Sequence, residues 1–379
     1  MQTVLFDLTA TQPNASGLRH GGGKYGEIVF KRIVERKLPV LCFYDGSKWL
    51  NPEIKKLVNE YKIVSYDVRI ANFDDVIKKN SVNVIYSPMP NIFLMRYKQC
   101  KVIGTIHGLR GLELPTDLFF WKYKGTTLKE KMKFFIKMIF PNHIFSTDLH
   151  YYGDLIRNDN FNFVTVSYHT KYALYSFFTR YNNVEIPVFY SPSTSSNRMI
   201  TRKYAECYFM MVSGNRWEKN NLRAIMALDK LFSMGHLANY TVKITGAKDA
   251  SNYRYKIQNP DKFVFLGYVD EDELEQLYHD AYCLIYPSLN EGFGYPPLEA
   301  MHYGVPVLAS PFTSISEICQ DAALYFNPYS IKEIMNRILQ IVDKQKHQEY
   351  IIRSKKQYEI ISAKQDRDLN QLINYIYNI

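Results

Sequence analysis

The chain has 379 residues, 46% of them hydrophobic and 22% charged, which suits two folded domains and excludes a disordered chain. No uncharged apolar run reaches the roughly 20 residues of a membrane helix; the longest uncharged stretches, Ser81–Met95 and Ala300–Ser316, are broken by prolines. The formal charge is +10, with 26 basic against 16 acidic residues in 1–190 and 21 of each in 191–379, so an anionic partner of the first half is expected: nucleic acid, a membrane surface or a phosphorylated substrate.

The opening residues, MQTVLFDLTA, carry no basic leader, and no secretory signal is expected there. Strand-like apolar runs follow at Val4–Leu8, Val40–Tyr44, Lys62–Ser65, Asn83–Tyr86, Lys101–Ile106, Phe163–Ser167 and Ile186–Tyr190. After a small-polar stretch, SPSTSSNRMIT, they resume at Cys207–Ser213, Tyr240–Thr245, Phe263–Tyr268, Tyr282–Tyr286 and Val305–Ala309. Continuous runs separated by helical periodicity predict α/β layers with parallel strands buried on both faces. The expected organisation is a first domain over 1–190, a linker over 191–201, a second domain over 202–350 and a helical tail over 351–379. Five scattered cysteines without a CxxC pair predict reduced thiols in a cytoplasmic protein.

In parallel α/β sheets ligands bind beyond the carboxyl ends of strands. The loop after Tyr282–Tyr286 reads PSLNEGFGYPPLEAMHYGVPVLAS. Gly292 and Gly294 allow close backbone approach, and a proline in the next helical turn suits a helix start whose amides favour an anion or sugar oxygen. Glu291 and Glu299 flank that turn as candidate hydroxyl acceptors.

This segment resembles the E-x7-E signature of retaining GT-B glycosyltransferases of group 1, or family 4, through Glu291, Gly292, Phe293, Gly294, Pro296, Glu299, Ala300, Gly304, Pro306 and Val307. MVSGNRWEKNNLRAI (211–225) resembles the loop that grips the donor diphosphate, with Lys219 matched and Arg216 offset from the family's arginine. HGGGKYGEIVFKRIV (20–34) resembles the glycine-rich loop after the first strand, through Gly22, Gly23 and Tyr25. GTIHGLRGLELP (104–115) resembles the segment with the active-site histidine, His107, although Gly108 stands where the family more often has Asp. VTVSYHTKYAL (164–174) resembles the segment that brings a serine, Ser167, near the donor.

The resemblance implies two Rossmann-like doubly wound domains facing a central cleft, the second holding a nucleotide-sugar, and a tail helix crossing back to the first. It implies transfer of a hexose-type sugar with retention, by a front-face route without a metal, to a glycan, lipid-linked or phosphorylated acceptor of bacterial surface polysaccharide. Lys219 and Arg216 would neutralise the diphosphate. Glu291 would hold the donor sugar with Gly292, Phe293 and Gly294, Glu299 the ribose, and His107 would lie near the sugar. Gly22, Gly23 and Ser167 complete the expected donor contacts. No cofactor is expected beyond this co-substrate.

Asp270-Glu271-Asp272 has metal-site spacing but reads as a helix capping box with Glu273. The stretch 118–140 carries six lysines against Glu130. It reads either as a surface lying on the inner face of the plasma membrane or as a helix packed on the first domain. Alternatives are a transferase with a soluble acceptor, a nucleotide-sugar-binding protein, and a nucleic-acid-binding protein. No nucleic-acid motif supports the last.

Overall fold

The apolar runs form two parallel sheets in a computed structural model. It describes residues 2–14, 20–114, 116–124, 127–194 and 200–379, without the side chains of 133, 137 and 141–146. Residues 195–199 of the expected linker, and 125–126 with the side chains of Lys133 and Lys137 in the lysine-rich stretch, therefore lie outside the described residues.

The first sheet contains β1 (Thr3–Asp7), β2 (Val40–Tyr44), β3 (Ser65–Asp67), β4 (Val82–Ser87), β5 (Lys101–Ile106) and β6 (Phe161–Thr165), in the order β3-β2-β1-β4-β5-β6. The second contains β7 (Cys207–Met211), β8 (Tyr240–Thr245), β9 (Phe263–Gly267), β10 (Cys283–Tyr286), β11 (Val307–Ala309) and β12 (Ala323–Tyr325), in the order β12-β11-β10-β7-β8-β9. Counted from the first strand of each sheet, both orders are 3-2-1-4-5-6, the Rossmann arrangement. The strands are apolar because helices cover both faces: Val4, Leu5 and Phe6 of β1 and Tyr208–Met211 of β7 are fully buried.

Two expected strands depart from the structure. Lys62–Ser65 is strand only at Ser65, the first residue of β3. Ile186–Tyr190 forms only an isolated bridge, Val188 with Thr165; a lone bridge leaves an apolar segment docked at a sheet edge without a ladder. The three-residue β12 escapes notice in sequence because it is too short for a periodic signal.

The chain divides into two compact units. One comprises Met1–Leu109, Thr147–Thr194 and Ser362–Ile379; the other comprises Arg110–Ser146 and Ser195–Ile361. The final helix, Lys344–Asn378, thus begins in the second unit and ends in the first. Within the first unit its last turns bind helix Gly21–Glu35, Arg32 Nη1 reaching Asn370 Oδ1 at 2.9 Å and Arg32 Nη2 reaching Asp366 at 3.0 Å.

The expected boundary at 190 requires correction for residues 110–146, which pack on the second unit. Arg223 Nη1 and Nη2 donate to the two oxygens of Asp117 at 2.6 and 2.9 Å. Tyr123 is buried edge-on against Tyr253, and its hydroxyl accepts from Leu222 N at 3.0 Å. The charge asymmetry changes accordingly. By residue count the first unit carries 21 basic and 15 acidic residues and the second 26 and 22, so the positive excess is shared between the units.

Among the described residues no helix is long and apolar enough to cross a membrane. All five cysteines are free thiols.

Candidate functional site

The second sheet reverses its strand order between β7 and β10, and the loops after those two strands meet there. Asn220 adopts a left-handed conformation, φ 57°, which asparagine tolerates better than most residues. Its Nδ2 donates to Pro287 O at 3.1 Å and Pro328 O at 2.8 Å. This fastens the loop after β7 to the loop after β10. Leu289 N adds a 2.8 Å bond to Glu218 O.

Lys219 and Glu291 meet at this junction. Their side chains are only 7% and 9% exposed, and Nζ lies 2.6 Å from Oε1. Tyr286, the last residue of β10, accepts from Lys219 Nζ at 2.8 Å and donates to Glu291 Oε1 at 2.6 Å. Ser288 donates to the same oxygen. Glu291 Oε1 therefore takes three hydrogen bonds, and Oε2 takes none from the described residues. Thr313 Oγ1 accepts from Glu291 N at 2.9 Å, and Ser314 Oγ donates to Glu291 O at 3.0 Å, so the backbone of this residue is held as firmly as its side chain.

Burial by itself would raise the Glu291 carboxyl, but the charges of Lys219 and Arg110 and the bonds from Lys219 and Ser288 hold it down at about 2. Burial pushes the Lys219 ammonium below the ordinary lysine value, against the opposing pull of Glu291. Two residues expected to serve different parts of a ligand are thus one buried ion pair.

Beside them Arg216 donates Nε and Nη2 to Glu218 Oε1 at 2.8 and 2.5 Å. Arg110 Nη1 approaches the same oxygen at 3.3 Å. Burial raises the Glu218 carboxyl, yet the two guanidinium charges outweigh it and leave the group below its ordinary value.

Gly294, φ 116°, precedes helix Tyr295–His302. A side chain would be strained at this φ although space for a Cβ exists. Phe293 is buried, with its ring edge-on to Tyr295 at 5.5 Å. Glu299 is half-buried one turn into the helix. It accepts a hydrogen bond from the hydroxyl of Tyr278, whose pKa is driven far up by burial and by the Glu299 charge. Asp270 does cap its helix, accepting from Glu273 N at 2.8 Å. Only half of the expected capping box forms, because the Glu273 carboxylate turns to Lys203 Nζ at 2.8 Å and to Tyr204. Among the described residues no group of three or more His, Cys, Asp or Glu could hold a metal ion.

The remaining expected site residues lie in the first unit. The helix Gly21–Glu35 starts at His20, whose Nδ1 accepts from Gly23 N at 3.0 Å. The Gly23 amide is thereby committed to the cap. Gly22 and Gly26 bring this helix against the loop after β4: an added Cβ would meet Met89 Sδ at 2.5 Å or Pro88 Cγ at 2.8 Å. Pro88 O accepts from His107 Nε2 at 2.8 Å. A carbonyl only accepts, so Nε2 carries the proton and the neutral ring presents Nδ1 as its acceptor. Burial holds the His107 pKa down at about 4. Tyr25 packs edge-on against the ring at 4.7 Å, and its hydroxyl closes a buried triangle with Tyr86 and Thr105.

Gly22 thus lies against Met89, Gly26 and His107 against Pro88, and Tyr25 against His107. Ser167 follows β6, the strand paired with the one that precedes His107. It is buried and caps helix Tyr168–Phe177 by accepting from Thr170 N at 3.2 Å. Sequence reasoning misses Arg110, Glu218, Tyr286, Ser288 and Tyr278. Arg110 and Glu218 nonetheless stand inside the motif segments, three residues after His107 and one before Lys219.

Comparison with known proteins agrees with this architecture. Residues 198–358 match the model of glycosyl transferases group 1. The chain is 32% identical over 179 residues to the O-antigen chain mannosyltransferase RfbU of Salmonella typhimurium, covering 47% of this chain and 50% of that protein. It is 47% identical over 76 residues to the O-antigen chain mannosyltransferase B of Escherichia coli, covering 20% of each chain. The chain thus spans half or less of the length of these curated relatives. Among solved structures, Anabaena Alr3699/HepE, in a complex with UDP-glucose, superposes with a TM-score of 0.65 at 15% identity over the whole of both chains. Both sheets have the Rossmann order and the structural match extends end to end, so the chain has the GT-B fold, and its residues 198–358 are similar to the group 1 glycosyl transferases.

Proposed function

We propose that this protein is a retaining glycosyltransferase of bacterial surface polysaccharide synthesis, moving a hexose from a nucleotide-sugar to a glycan or lipid-linked acceptor. The observation that carries the reading is the buried Lys219–Glu291 pair, with Arg216 beside it, at the strand-order reversal of the second sheet. Nucleotides bind at this point in sheets of this order. The names of the Salmonella and Escherichia coli relatives favour mannose as the hexose and O-antigen as the product.

On this reading Lys219 and Arg216 face the diphosphate. Glu291 orients Lys219 through Oε1 and offers Oε2 to a donor hydroxyl. Glu299 accepts from the ribose while Tyr278 fixes its rotamer. Phe293 has its ring buried, so its backbone and those of Gly292 and Gly294 carry the contact with the sugar. The difficult step is departure of a highly charged diphosphate, and fixed cations aimed at it lower that barrier without a bound metal. The acceptor hydroxyl attacks from the side the phosphate leaves, which retains the anomeric configuration. In the first unit, Gly22, Gly23 and the Nδ1 lone pair of His107 serve the donor sugar and acceptor. Ser167 acts through the helix it caps.

The test is a thermal-shift panel of UDP-, GDP-, ADP- and dTDP-sugars, because a donor stabilises the folded state by mass action. Transfer from the stabilising donor to a lipid-linked acceptor, with the product anomer read by NMR and with chelator present, follows. An inverted product or loss of activity on chelation would refute the retaining or the metal-independent part.

A cytoplasmic protein with a peripheral membrane contact is favoured by helix Leu128–Ile139. Leu128, Met132, Phe135 and Ile139 recur along one face and are 74%, 58%, 50% and 48% exposed, beside Lys129 and Lys131. An exposed apolar stripe edged by lysines suits an anionic bilayer. Flotation with phosphatidylglycerol vesicles should be abolished by Phe135→Ser with Ile139→Ser and weakened by salt. Equal binding to zwitterionic vesicles, or none to either, would exclude this surface.

A further inference from the structure

Arg110 is a cation that the donor-site reading leaves unused. It opens the Arg110–Ser146 segment of the second unit. Its Nη1 lies 3.3 Å from Glu218 Oε1, the oxygen that already takes Nε and Nη2 of Arg216 at 2.8 and 2.5 Å. One carboxylate oxygen therefore serves two guanidinium groups, a crowded arrangement for a single acceptor. Arg110 Nε is buried and has no hydrogen-bond partner among the described residues, a state that buried donors seldom keep when an acceptor is at hand. The reach of Arg110 extends past Glu218. Its charge helps to hold the Glu291 carboxyl down and acts on Lys219, so it belongs to the electrostatic surroundings of the buried pair.

We propose that Arg110 is a third ligand for the diphosphate of a nucleoside diphosphate, and that Glu218 is the counter-ion holding Arg110 and Arg216 in place until that anion arrives. This rests on reading the second unit's site as a nucleotide-sugar site. A phosphate oxygen accepts from a guanidinium fork as a carboxylate oxygen does, with more charge and more lone pairs to share. Binding shifts part of the hydrogen bonding of the two arginines from the one Glu218 oxygen to the phosphates. It also supplies an acceptor to the unpaired Nε. When the glycosidic bond breaks, one further negative charge appears on the leaving diphosphate. A guanidinium fixed beside it stabilises that charge more than the ground state. Lysine at this position would keep the charge and lose the fork.

The rival reading is that Arg110 only tethers its segment to Glu218. Titration calorimetry on the full chain separates the two. Wild type, Arg110→Gln, Arg110→Lys and Lys219→Ala are titrated with UDP, GDP, ADP and dTDP, and with the monophosphate of whichever base binds. The proposal expects Arg110→Gln to weaken the diphosphate about tenfold or more while the monophosphate changes less than about twofold. It expects Arg110→Lys, whose thermal midpoint reports an intact fold, to lie between. Unchanged diphosphate affinity in both Arg110 variants, or equal losses for di- and monophosphate, overturns it. If those variants are silent while Lys219→Ala weakens the diphosphate, this proposal alone fails. If wild type binds none of the four diphosphates, or Lys219→Ala binds them as wild type does, the donor-site reading fails with it.

Discussion

Lys219→Met breaks the buried pair without adding a polar group or much changing the volume. The Glu291 carboxyl sits at about 2 against an ordinary 4.5, and at about 1.4 kcal/mol per unit that difference is worth about 3 kcal/mol. A carboxyl held low stabilises the fold above the unfolded-state value of about 4.5, and the contribution fades as pH falls through about 2. Removing Lys219 takes away the charge that most opposes burial, so the Glu291 pKa moves up toward or beyond its ordinary value. At pH 7 the variant then keeps a buried carboxylate with Tyr286, Ser288 and the Arg110 charge for company. Breaking a buried pair in this way costs about 3–5 kcal/mol, and the surviving partners place the expectation near the lower end.

Urea unfolding at pH 7 and pH 5 reads this directly. In a Trp49→Phe background the fluorescence comes from Trp121 and Trp217, both in the second unit. The variant should lose about 3 kcal/mol at pH 7 and recover part of it at pH 5, where Glu291 can protonate. This group should leave wild type nearly unchanged between those two pH values. Adding Glu291→Gln to Lys219→Met should restore some of the stability. A loss below about 0.5 kcal/mol at pH 7, or a loss that is the same at pH 5, would refute the buried-pair reasoning.

Three further expectations follow from the geometry. His107, held at about 4, should show no imidazole titration by NMR between pH 5.5 and 8; since the unfolded ring protonates near 6.5, folding stability should rise with pH from about 4 to 6.5. A His107 midpoint near 6.5 would contradict its burial against Pro88. Gly26→Ala should cost about 1–3 kcal/mol by chemical denaturation, because its Cβ meets the rigid Pro88 ring and Thr11 Cγ2 at 2.8 Å. Gly22→Ala should cost less, because Met89 is partly exposed and can swing aside. Asp117→Ala strands Arg223, whose side chain is only 7% exposed; a loss of about 3 kcal/mol and faster proteolysis within 110–146 are expected. Cleavage at the wild-type rate would mean the ion pair does not anchor that segment.

Positive charge in this protein follows neither the midpoint of the chain nor one unit. Arg110–Ser146 carries seven basic and three acidic residues. It binds helix Asn221–Ser233 through Asp117 and Tyr123. Basic residues encoded in the first half thus reach the second unit, Arg110 among them.

The sequence by itself determined the layer architecture. Runs such as Val40–Tyr44, Lys101–Ile106 and Tyr240–Thr245 coincide with strands residue for residue, because a strand buried on both faces must be apolar at every position. Its glycines and prolines also marked the loop after β10. Ion pairing was beyond its reach. Lys219 and Glu291 are 72 residues apart, and only the adjacency of β7 and β10 turns two separate candidates into one buried pair. The same holds for Glu218, which reads as an ordinary polar residue until Arg110, 108 positions away, shares its oxygen with Arg216. Ser167 and Gly23 also have local roles that motif position does not reveal: the serine hydroxyl and the glycine amide each take part in a helix cap. Local pattern reports burial and backbone geometry, which are properties of neighbours in the chain. Charge partnership depends on neighbours in space, and the strand order created those.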